Sequence, residues 1–404
     1  MDEAVTARWF DAVGDILRQS HLWRPDQLTT YVESAAARLG LHTTVWVVDY
    51  EQVSLRALPV PGRPVPPPVP IDGTAMGRAF TLVRTRRADG EDRWWVPMVN
   101  GTDRLGVLEV AGPGAADPEF GSRCETLAGL IGHLITTTSA RGDSIDRVRR
   151  TAPMSTAAEM LWRMLPPLTA SCEHAVVSAV LQPCYDVGGD GFDYAIDDET
   201  AQLLILDAAG KGLPAGLACS VALAAVRARR RAGYGLLEQA RAADEALAEQ
   251  FPDARFVTAV LVELDLTDGR VRYLNAGHPA PLVLRAGKLI AELSGGRRLP
   301  LGLGGTGAEI GESVMRPGDR LLCYSDGVTE ARTGTGERFG RDRLIEVTER
   351  HAGAELSAPE VLRRLAHEVM AQSAGEPDDD ATLLLLEWSG AAVTRTVPTS
   401  GERE

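Results

Sequence analysis

The feature that most constrains this chain is a set of aspartates, each placed where a predicted β-strand ends beside glycine or another turn residue. Asp207 directly follows an apolar run of four residues, and Asp326 comes shortly after another such run. Two further acidic motifs, residues 188–193 (GGDGFD) and 378–382 (DDDAT), have the same character. Asp-Gly pairs commonly form turns. A carboxylate at the mouth of a buried strand, however, is costly unless its charge is compensated.

Several carboxylates in one place would repel one another, and divalent cations are the simplest remedy. Magnesium and manganese prefer hard oxygen ligands, and neighbouring glycines let the backbone approach a cation or phosphate closely. The sequence contains no P-loop, and Ser325 lacks the Gly-x-Ser-x-Gly context of a hydrolase nucleophile. The pattern therefore predicts a site with two divalent cations and a nucleophile derived from water.

Composition excludes several classes of protein. The chain has 404 residues with 42 basic and 56 acidic side chains, a net charge of −14, which disfavours binding to nucleic-acid phosphates. Five cysteines without a Cys-x-x-Cys pair argue against a disulfide framework and a zinc ribbon. The sequence has neither a signal-peptide pattern nor an apolar run long enough to span a bilayer. We expect a cytoplasmic protein without nucleic-acid or membrane partners.

Residues 1–138 are predicted to form an α+β domain. Its proline-rich segment, residues 59–70, cannot be a central strand. The predicted elements are a helix begun by Asp26 and running to Leu39, strands over 43–50, 94–99 and 105–110, and a helix over 118–136. This order and the segment AMGRAF (75–80) resemble GAF domains, which implies a small-molecule-binding or dimerisation module. An accessory domain without a ligand is an equal alternative.

Residues 139–170 are predicted to be a connector with a short helix that Thr156 and Glu159 begin as a capping box. This helix either carries a signal between the two domains or is a spacer packed on the second domain. Residues 171–388 form the larger domain, in which strands come in hairpins and helices in blocks. This arrangement favours antiparallel sheets with helices packed outside them. Residues 389–404 are small and polar and are expected to be disordered. The predicted strands are 175–182, 192–196, 202–207, 257–266, 270–275, 281–285, 310–315, 320–324 and 381–388, and the predicted helices are 213–231, 236–251 and 357–373.

Eight short motifs of the larger domain follow one another in a distinctive order: VGGDGFDY, LDAAGKGLPAGL, RFVTAVL, NAGHPAPLVL, LPLGL, PGDRLLCYSDGVTEA, ERFG and DDDATLLLL. Over about residues 155–388 this set resembles the SpoIIE/RsbU-type protein phosphatases, which are metal-dependent (PPM-type) serine/threonine phosphatases. The resemblance implies an αββα sandwich with a dinuclear manganese or magnesium site between its sheets. It also implies phosphoserine or phosphothreonine protein substrates, often anti-sigma-factor antagonists of the STAS type.

The resemblance also assigns the metal ligands. It makes Asp190, Asp207, Asp326 and Asp379 the carboxylate ligands, with Asp207 bridging both cations. In the family the residue after the bridging aspartate contributes its main-chain carbonyl, and here that residue is Ala208. We therefore expect the four aspartates to be the catalytic residues of this chain.

Four neighbouring residues keep open roles. Asp193 matches the second aspartate of the family's GGDFYD string, and Asp380 has no assigned role. Lys211 stands where other members have histidine. His278, in the NAGHP motif, is either an acid near the leaving oxygen or a structural residue of a turn. The sequence offers no evident counterpart of the phosphate-binding arginine of the eukaryotic branch.

The sequence thus predicts a metal-dependent phosphatase for a phosphoserine or phosphothreonine protein, with a GAF-like domain that controls it. Two alternatives stay open. One is a non-catalytic regulatory module that binds a partner through the same fold, and the other is a phosphatase of a small phosphate ester. The four intact aspartates favour catalytic activity. Domain order alone suggests that a signal passes through the connector, by rearrangement of a homodimer.

Overall fold

The computed structural model describes residues 3–88, 92–113, 119–304, 307–333, 336–352, 356–372 and 379–398. The chain divides into two compact units. The N-terminal unit contains the described residues of Met1–Ala152 and of Arg395–Glu404, and the C-terminal unit is Pro153–Thr394. The boundary falls inside the segment that the sequence predicts as a connector. None of the described helices is both long and apolar enough to cross a membrane.

The N-terminal unit is an antiparallel sheet with helices on both faces. Its elements are α1 (Glu3–Ser20), α2 (Leu28–Arg38), β1 (His42–Val48), β2 (Ser54–Ala57), β3 (Val69–Pro70), α3 (Ala75–Leu82), β4 (Arg86–Arg87), β5 (Arg93–Asn100), β6 (Asp103–Ala111), α4 (Phe120–Ser139) and α5 (Ser144–Arg149). The strand order is β3-β2-β1-β6-β5-β4.

Alternation along the strands gives this sheet two apolar faces. Val45 and Val47 of β1 pack with α1, α2, α4 and α5, whereas Trp46 and Val48 pack with α3 on the other face. The proline-rich segment contributes only the two-residue strand β3, at the edge of the sheet. The α+β class is therefore confirmed, and the assignment to GAF domains remains a prediction. Residues 117 and 118, predicted to begin the last helix, lie outside the described residues, and α4 is described from Phe120.

The C-terminal unit contains eleven strands and seven helices among its described residues. The strands are β7 (Thr169–Ser171), β8 (Ala175–Gln182), β9 (Asp190–Ile196), β10 (Thr200–Ala208), β11 (Val257–Asp265), β12 (Arg270–Ala276), β13 (Leu282–Arg285), β14 (Lys288–Glu292), β15 (Gly311–Val314), β16 (Arg320–Tyr324) and β17 (Ala381–Trp388). The helices are α6 (Thr156–Met164), α7 (Leu213–Arg231), α8 (Leu236–Gln250), α9 (Asp326–Glu330), α10 (Arg341–Ala352), α11 (Ala358–Gln372) and α12 (Gly390–Val393).

Two antiparallel sheets form the centre of this unit. One has the order β15-β12-β11-β10-β9 and the other β14-β13-β16-β17-β8-β7. Leu203 and Ile205 of β10 pack in the core between the sheets, whereas Leu204 and Leu206 pack against α7 and α8 on the outside. Helices α10 and α11 cover the outer face of the second sheet. The predicted αββα sandwich is confirmed.

Three details differ from the sequence predictions. Ser155, not Thr156, caps α6, because its Oγ accepts a hydrogen bond from the Ala158 N–H at 3.1 Å. The prediction of disorder from residue 389 is wrong for α12, which Ser389 caps and which buries Ala392. The elements that were not predicted are strands β2, β3, β4, β7 and β14 and helices α1, α3, α5, α9, α10 and α12.

Candidate active site

The hairpin of β9 and β10 places two of the predicted ligands side by side. Asp190 is the first residue of β9, Asp207 is the penultimate residue of β10, and the two are direct partners in the antiparallel register. Opposed residues of such a pair have Cβ atoms about 4.5–5.5 Å apart and side chains on the same face. Asp190 is only 2% exposed. The first sheet therefore presents two neighbouring carboxylates at one end of the hairpin.

The second sheet brings the other acidic residues to its own strand ends. Asp326 begins α9, two residues after β16, while Asp379 and Asp380 precede β17, the hydrogen-bonded neighbour of β16. The two sheets meet at this point, because the Thr382 hydroxyl on β17 donates a 2.6 Å hydrogen bond to Asp190 Oδ2. Residues nearly 200 positions apart in the chain thus lie around one pocket.

Asp380 holds the loop that leads into β9. Its Oδ2 accepts hydrogen bonds from three successive backbone N–H groups, those of Gly188, Gly189 and Asp190, at 2.8, 2.7 and 3.1 Å. This oxygen is therefore fully engaged by the backbone. The role that the sequence left open is one of positioning, because Asp380 fixes the segment that carries Asp190.

Burial and mutual repulsion raise the pKa values of these carboxyl groups. Burial, reinforced by Asp207 and Asp380, raises the pKa of Asp190 well above its ordinary value. Burial and then the charges of Asp326, Asp379 and Asp380 raise the pKa of Asp207 to about 7. Burial and Asp379 also raise the pKa of Asp326. Three of the four predicted ligands thus have a pKa raised by a neighbouring carboxylate, and the fourth, Asp379, raises the pKa values of Asp207 and Asp326.

The chemistry of this donor set suits divalent cations. Carboxylate oxygens are the ligands that magnesium and manganese prefer, and raised pKa values indicate negative charge that a cation would compensate. As the side chains of the described residues stand, no three or more Asp, Glu, His or Cys groups close around one point to hold a metal ion. The donor types fit, and the side chains would have to turn toward the cations.

Glycines allow close packing of the backbone around the pocket. The Ala208 N–H donates to the Gly189 carbonyl at 3.1 Å. The Cβ atom of any side chain at Gly189 would lie 2.9 Å from the Ala208 oxygen, which is too close. A side chain at Gly188 would begin 2.7 Å from the Gly212 nitrogen. The GGD segment and the loop 208–212 therefore require glycine where they touch. The structure places the Ala208 carbonyl beside the pocket, and its role as a ligand remains a prediction.

His278 is buried in a hydrogen-bonded turn. Its backbone N–H donates to Asn275 Oδ1 at 2.9 Å, the Asn275 amide donates to the His278 carbonyl at 2.9 Å, and Nδ1 lies 2.8 Å from the Thr258 hydroxyl. Burial lowers the pKa of His278 to about 3, with a small opposing effect of the Tyr324 carbonyl. The ring is neutral at physiological pH. These features favour the structural alternative over a role as an acid.

Asp193 faces helix α7 and not the other aspartates. Its two oxygens form ion pairs with Arg227 at 2.6 Å and Arg230 at 2.7 Å, and Arg227 also donates to the Met164 carbonyl at the end of α6. The spacing of the two arginines, three residues apart on one helix face, was a signal in the sequence that could have identified them as partners of a buried acid. Asp193 therefore joins β9 to two helices.

Comparison with known proteins identifies the class of fold to which this arrangement belongs. The SiaA-PP2C domain of Pseudomonas aeruginosa superposes with a TM-score of 0.50 and 23% identity, covering 63% of this chain and 99% of that domain. Two antiparallel sheets flanked by helices, with acidic strand ends that meet between them, are thus a PP2C-type fold. Residues 197–389 match the family model described as Stage II sporulation protein E (SpoIIE). The C-terminal unit thus has a PP2C-type fold, and its sequence is similar to the SpoIIE family, as the motifs indicated.

Two relatives match the same part of the chain. Protein IcfG from Synechocystis sp. is 24% identical over 216 residues, covering 46% of this chain and 34% of IcfG. Phosphoserine phosphatase RsbU from Bacillus subtilis is 25% identical over 214 residues, covering 52% of this chain and 62% of RsbU. The chain therefore spans less than two thirds of the length of either relative.

Proposed function

We propose that this protein is a metal-dependent phosphatase that releases phosphate from a phosphoserine or phosphothreonine protein. Asp190, Asp207, Asp326 and Asp379, together with the carbonyl of Ala208, hold two manganese or magnesium ions. The observation that supports this proposal is the group of carboxylates from both sheets of a PP2C-type fold, in which burial and neighbouring carboxylates raise the pKa values of Asp190, Asp207 and Asp326. The relative RsbU is named as a phosphoserine phosphatase.

The protein's own residues prepare this pocket before any cation binds. When bound, divalent cations activate water and stabilise the charge that develops on a phosphate. The Thr382 hydroxyl orients Asp190, and Asp380 fixes the backbone that carries it. The neutral His278 holds the turn at the end of β12. These contacts are formed from buried groups, so the ligands start from restricted positions.

Exposed leucines beside the pocket favour a protein substrate over a small ester. Leu213 and Leu217 lie at the start of α7, directly after the loop 208–212, and each is more than 40% exposed. Leu299 and Leu303 are likewise exposed and flank Leu301, whose backbone pairs with Val257 at the start of β11. Exposed apolar side chains near a polar pocket suit contact with another protein. A small phosphate ester would not need it.

The regulatory part of the proposal concerns the partner and the N-terminal unit. We infer a STAS-type antagonist of an anti-sigma factor as the substrate, which the resemblance to the SpoIIE/RsbU type supports. We also infer that the N-terminal unit, as a GAF-like domain, controls the activity in response to a small molecule or through a homodimer. The non-catalytic alternative is disfavoured, because the four acidic positions are all occupied by aspartate.

Phosphate release from a phosphoserine peptide by the full chain, with and without manganese, tests the proposal. We expect activity only with manganese, and a loss of at least about 100-fold in Asp207→Ala, since the variant lacks a carboxylate that would hold the cations. Asp198→Ala is the matched control, because Asp198 is exposed in the turn at the other end of the β9–β10 hairpin. Equal activity of the Asp207→Ala variant would contradict the proposal. Faster cleavage of p-nitrophenyl phosphate than of a phosphoprotein would favour the small-ester alternative.

A further inference from the structure

A pocket lined by aspartates needs positive charge to receive a phosphate dianion. The sequence offers no counterpart of the phosphate-binding arginine found in the eukaryotic branch of the family. The structure places Arg255, the first residue of the RFVTAVL motif, beside the pocket, although no role was predicted for this residue. It lies two residues before β11, the strand that pairs with β10 along its whole length.

The strand register carries Arg255 to the loop that follows Asp207. In the ladder of β10 and β11, Asp207 is opposite Thr258 and Ala208 is opposite Val257. The pairing continues beyond the strands, because the Ala209 N–H donates to the Phe256 carbonyl at 3.1 Å. The next position along β11 is Arg255, and the next along the loop is Gly210. A side chain at Gly210 would begin 3.9 Å from Arg255 Nη1.

The contacts of Arg255 hold its backbone and leave its outer nitrogens available. A side chain at Gly302 would begin only 2.6 Å from the Arg255 carbonyl, so the backbone is tightly packed. The guanidinium Nε lies 3.1 Å from Asp253 Oδ2, and Asp253 is 58% exposed. Among the described residues, Asp253 is the acidic partner of Arg255. The Arg255 side chain is 29% exposed.

We propose that Arg255 binds the phosphate group of the substrate through its two Nη groups at the rim of the aspartate pocket. This inference rests on the proposed function and adds the residue that recognises the phosphate. A guanidinium presents two parallel donors that match two phosphate oxygens, which an ammonium cannot do. The exposed pair with Asp253 contributes little to stability in water, and it orients the guanidinium so that Nη1 faces the loop of Asp207.

Equilibrium binding of inorganic phosphate to the manganese-loaded full chain, followed by calorimetry, tests this inference. We expect Arg255→Gln to weaken phosphate binding at least tenfold, and Arg255→Lys to fall between this variant and the wild type. Arg270→Gln is the matched control. Arg270 forms the same ion pair with the aspartate two residues earlier, Asp268, at the opposite end of the sheet from Arg255. We expect the control to bind phosphate as the wild type does.

Two further measurements separate this inference from the proposed function. Manganese titration of Arg255→Gln should give the wild-type affinity, and the variant's KM for a phosphoserine peptide should rise. If wild type and Arg255→Gln bind phosphate equally, or if the manganese-loaded wild type binds none, the inference is wrong. If phosphate binds through Arg255 but no phosphopeptide is cleaved, the proposed function fails and the inference stands.

Discussion

At Asp207, burial and neighbouring carboxylates make the ionised form of the side chain unfavourable. Its pKa of about 7 exceeds the ordinary value of 3.8 because burial and the carboxylates of Asp326 and Asp379 favour the protonated form. In the metal-free protein, the folded state therefore retains a proton that the unfolded state releases as pH rises from about 4 to 7. The free energy of unfolding falls over this range. His278 has the opposite sign, because its lowered pKa makes folding less favourable as pH drops below 6.5.

We predict that Asp207→Asn raises the stability of the metal-free protein at pH 8, by on the order of 1–2 kcal/mol, while it removes phosphatase activity. The substitution deletes a charge that the folded state disfavours. Urea unfolding in EDTA at pH 5 and pH 8 measures the effect, and the difference from wild type should shrink at pH 5. His278 is present in both proteins, so its effect on the free energy of unfolding cancels when the variant is compared with wild type. Asp198→Asn should change neither value, and a variant less stable than wild type at pH 8 would show that Asp207 is not strained by its neighbours.

At the scale of elements, the sequence predicted best the segments that are buried on both faces. The predicted bounds of β8, β16 and β17, in which every residue is buried, equal those in the structure, because each apolar run ends sharply at polar residues. The edge strand β14 was missed, since its residues are largely exposed and its pairing depends on β13. Helix α10 was missed because it buries only three of its side chains, at Leu344, Val347 and Thr348.

The candidate site was predictable only in part for a related reason. The four aspartates could be named because strand-end motifs and a family resemblance identify them. The roles of Asp380 and Arg255 could not be read in the same way. Asp380 acts on a loop some 190 positions earlier in the chain, and Arg255 depends on the register between β10 and β11. The first depends on how the two sheets pack and the second on strand pairing, and a single sequence specifies neither.

The link between β9 and α7 gives a prediction at this scale. Asp193→Asn should lower the free energy of unfolding by about 2 kcal/mol, because it leaves Arg227 and Arg230 without their buried partner. Its manganese affinity, measured by calorimetry, should remain within twofold of wild type. Asp197→Asn is the control, since Asp197 is exposed just after the end of β9. A loss of manganese affinity without a loss of stability would instead make Asp193 a metal ligand.

For the whole molecule, the two units divide the predicted connector between them. Helix α5 contributes Ile145 to the core of the N-terminal unit. Helix α6 contributes Ala158 and Leu161 to the core that α7 and α8 form in the C-terminal unit. The sequence placed the domain boundary at residue 171, because Pro166 and Pro167 end the helix and suggest a linker. Burial of α6 moves the boundary to Pro153.

This difference predicts how two fragments behave. The fragment 153–394 should unfold in one cooperative transition and retain manganese-dependent phosphatase activity, because it keeps both sheets and all helices of the C-terminal unit. The fragment 171–388, cut at the boundaries predicted from the sequence, lacks α6, α12 and most of β7, and it uncovers the apolar face of α7. Loss of Leu161 and its neighbours should cost at least about 3 kcal/mol.

Urea unfolding of both fragments beside the full chain provides the measurement. Equal stability of the two fragments would mean that α6 belongs to neither core and is a true linker. The same preparations test control by the N-terminal unit, because the fragment 153–394 lacks that unit, including residues 395–404, and nothing else. A specific activity that changes on its removal indicates control. Identical activity of the fragment and the full chain under every condition would count against a sensor role, and would leave the N-terminal unit as an accessory domain.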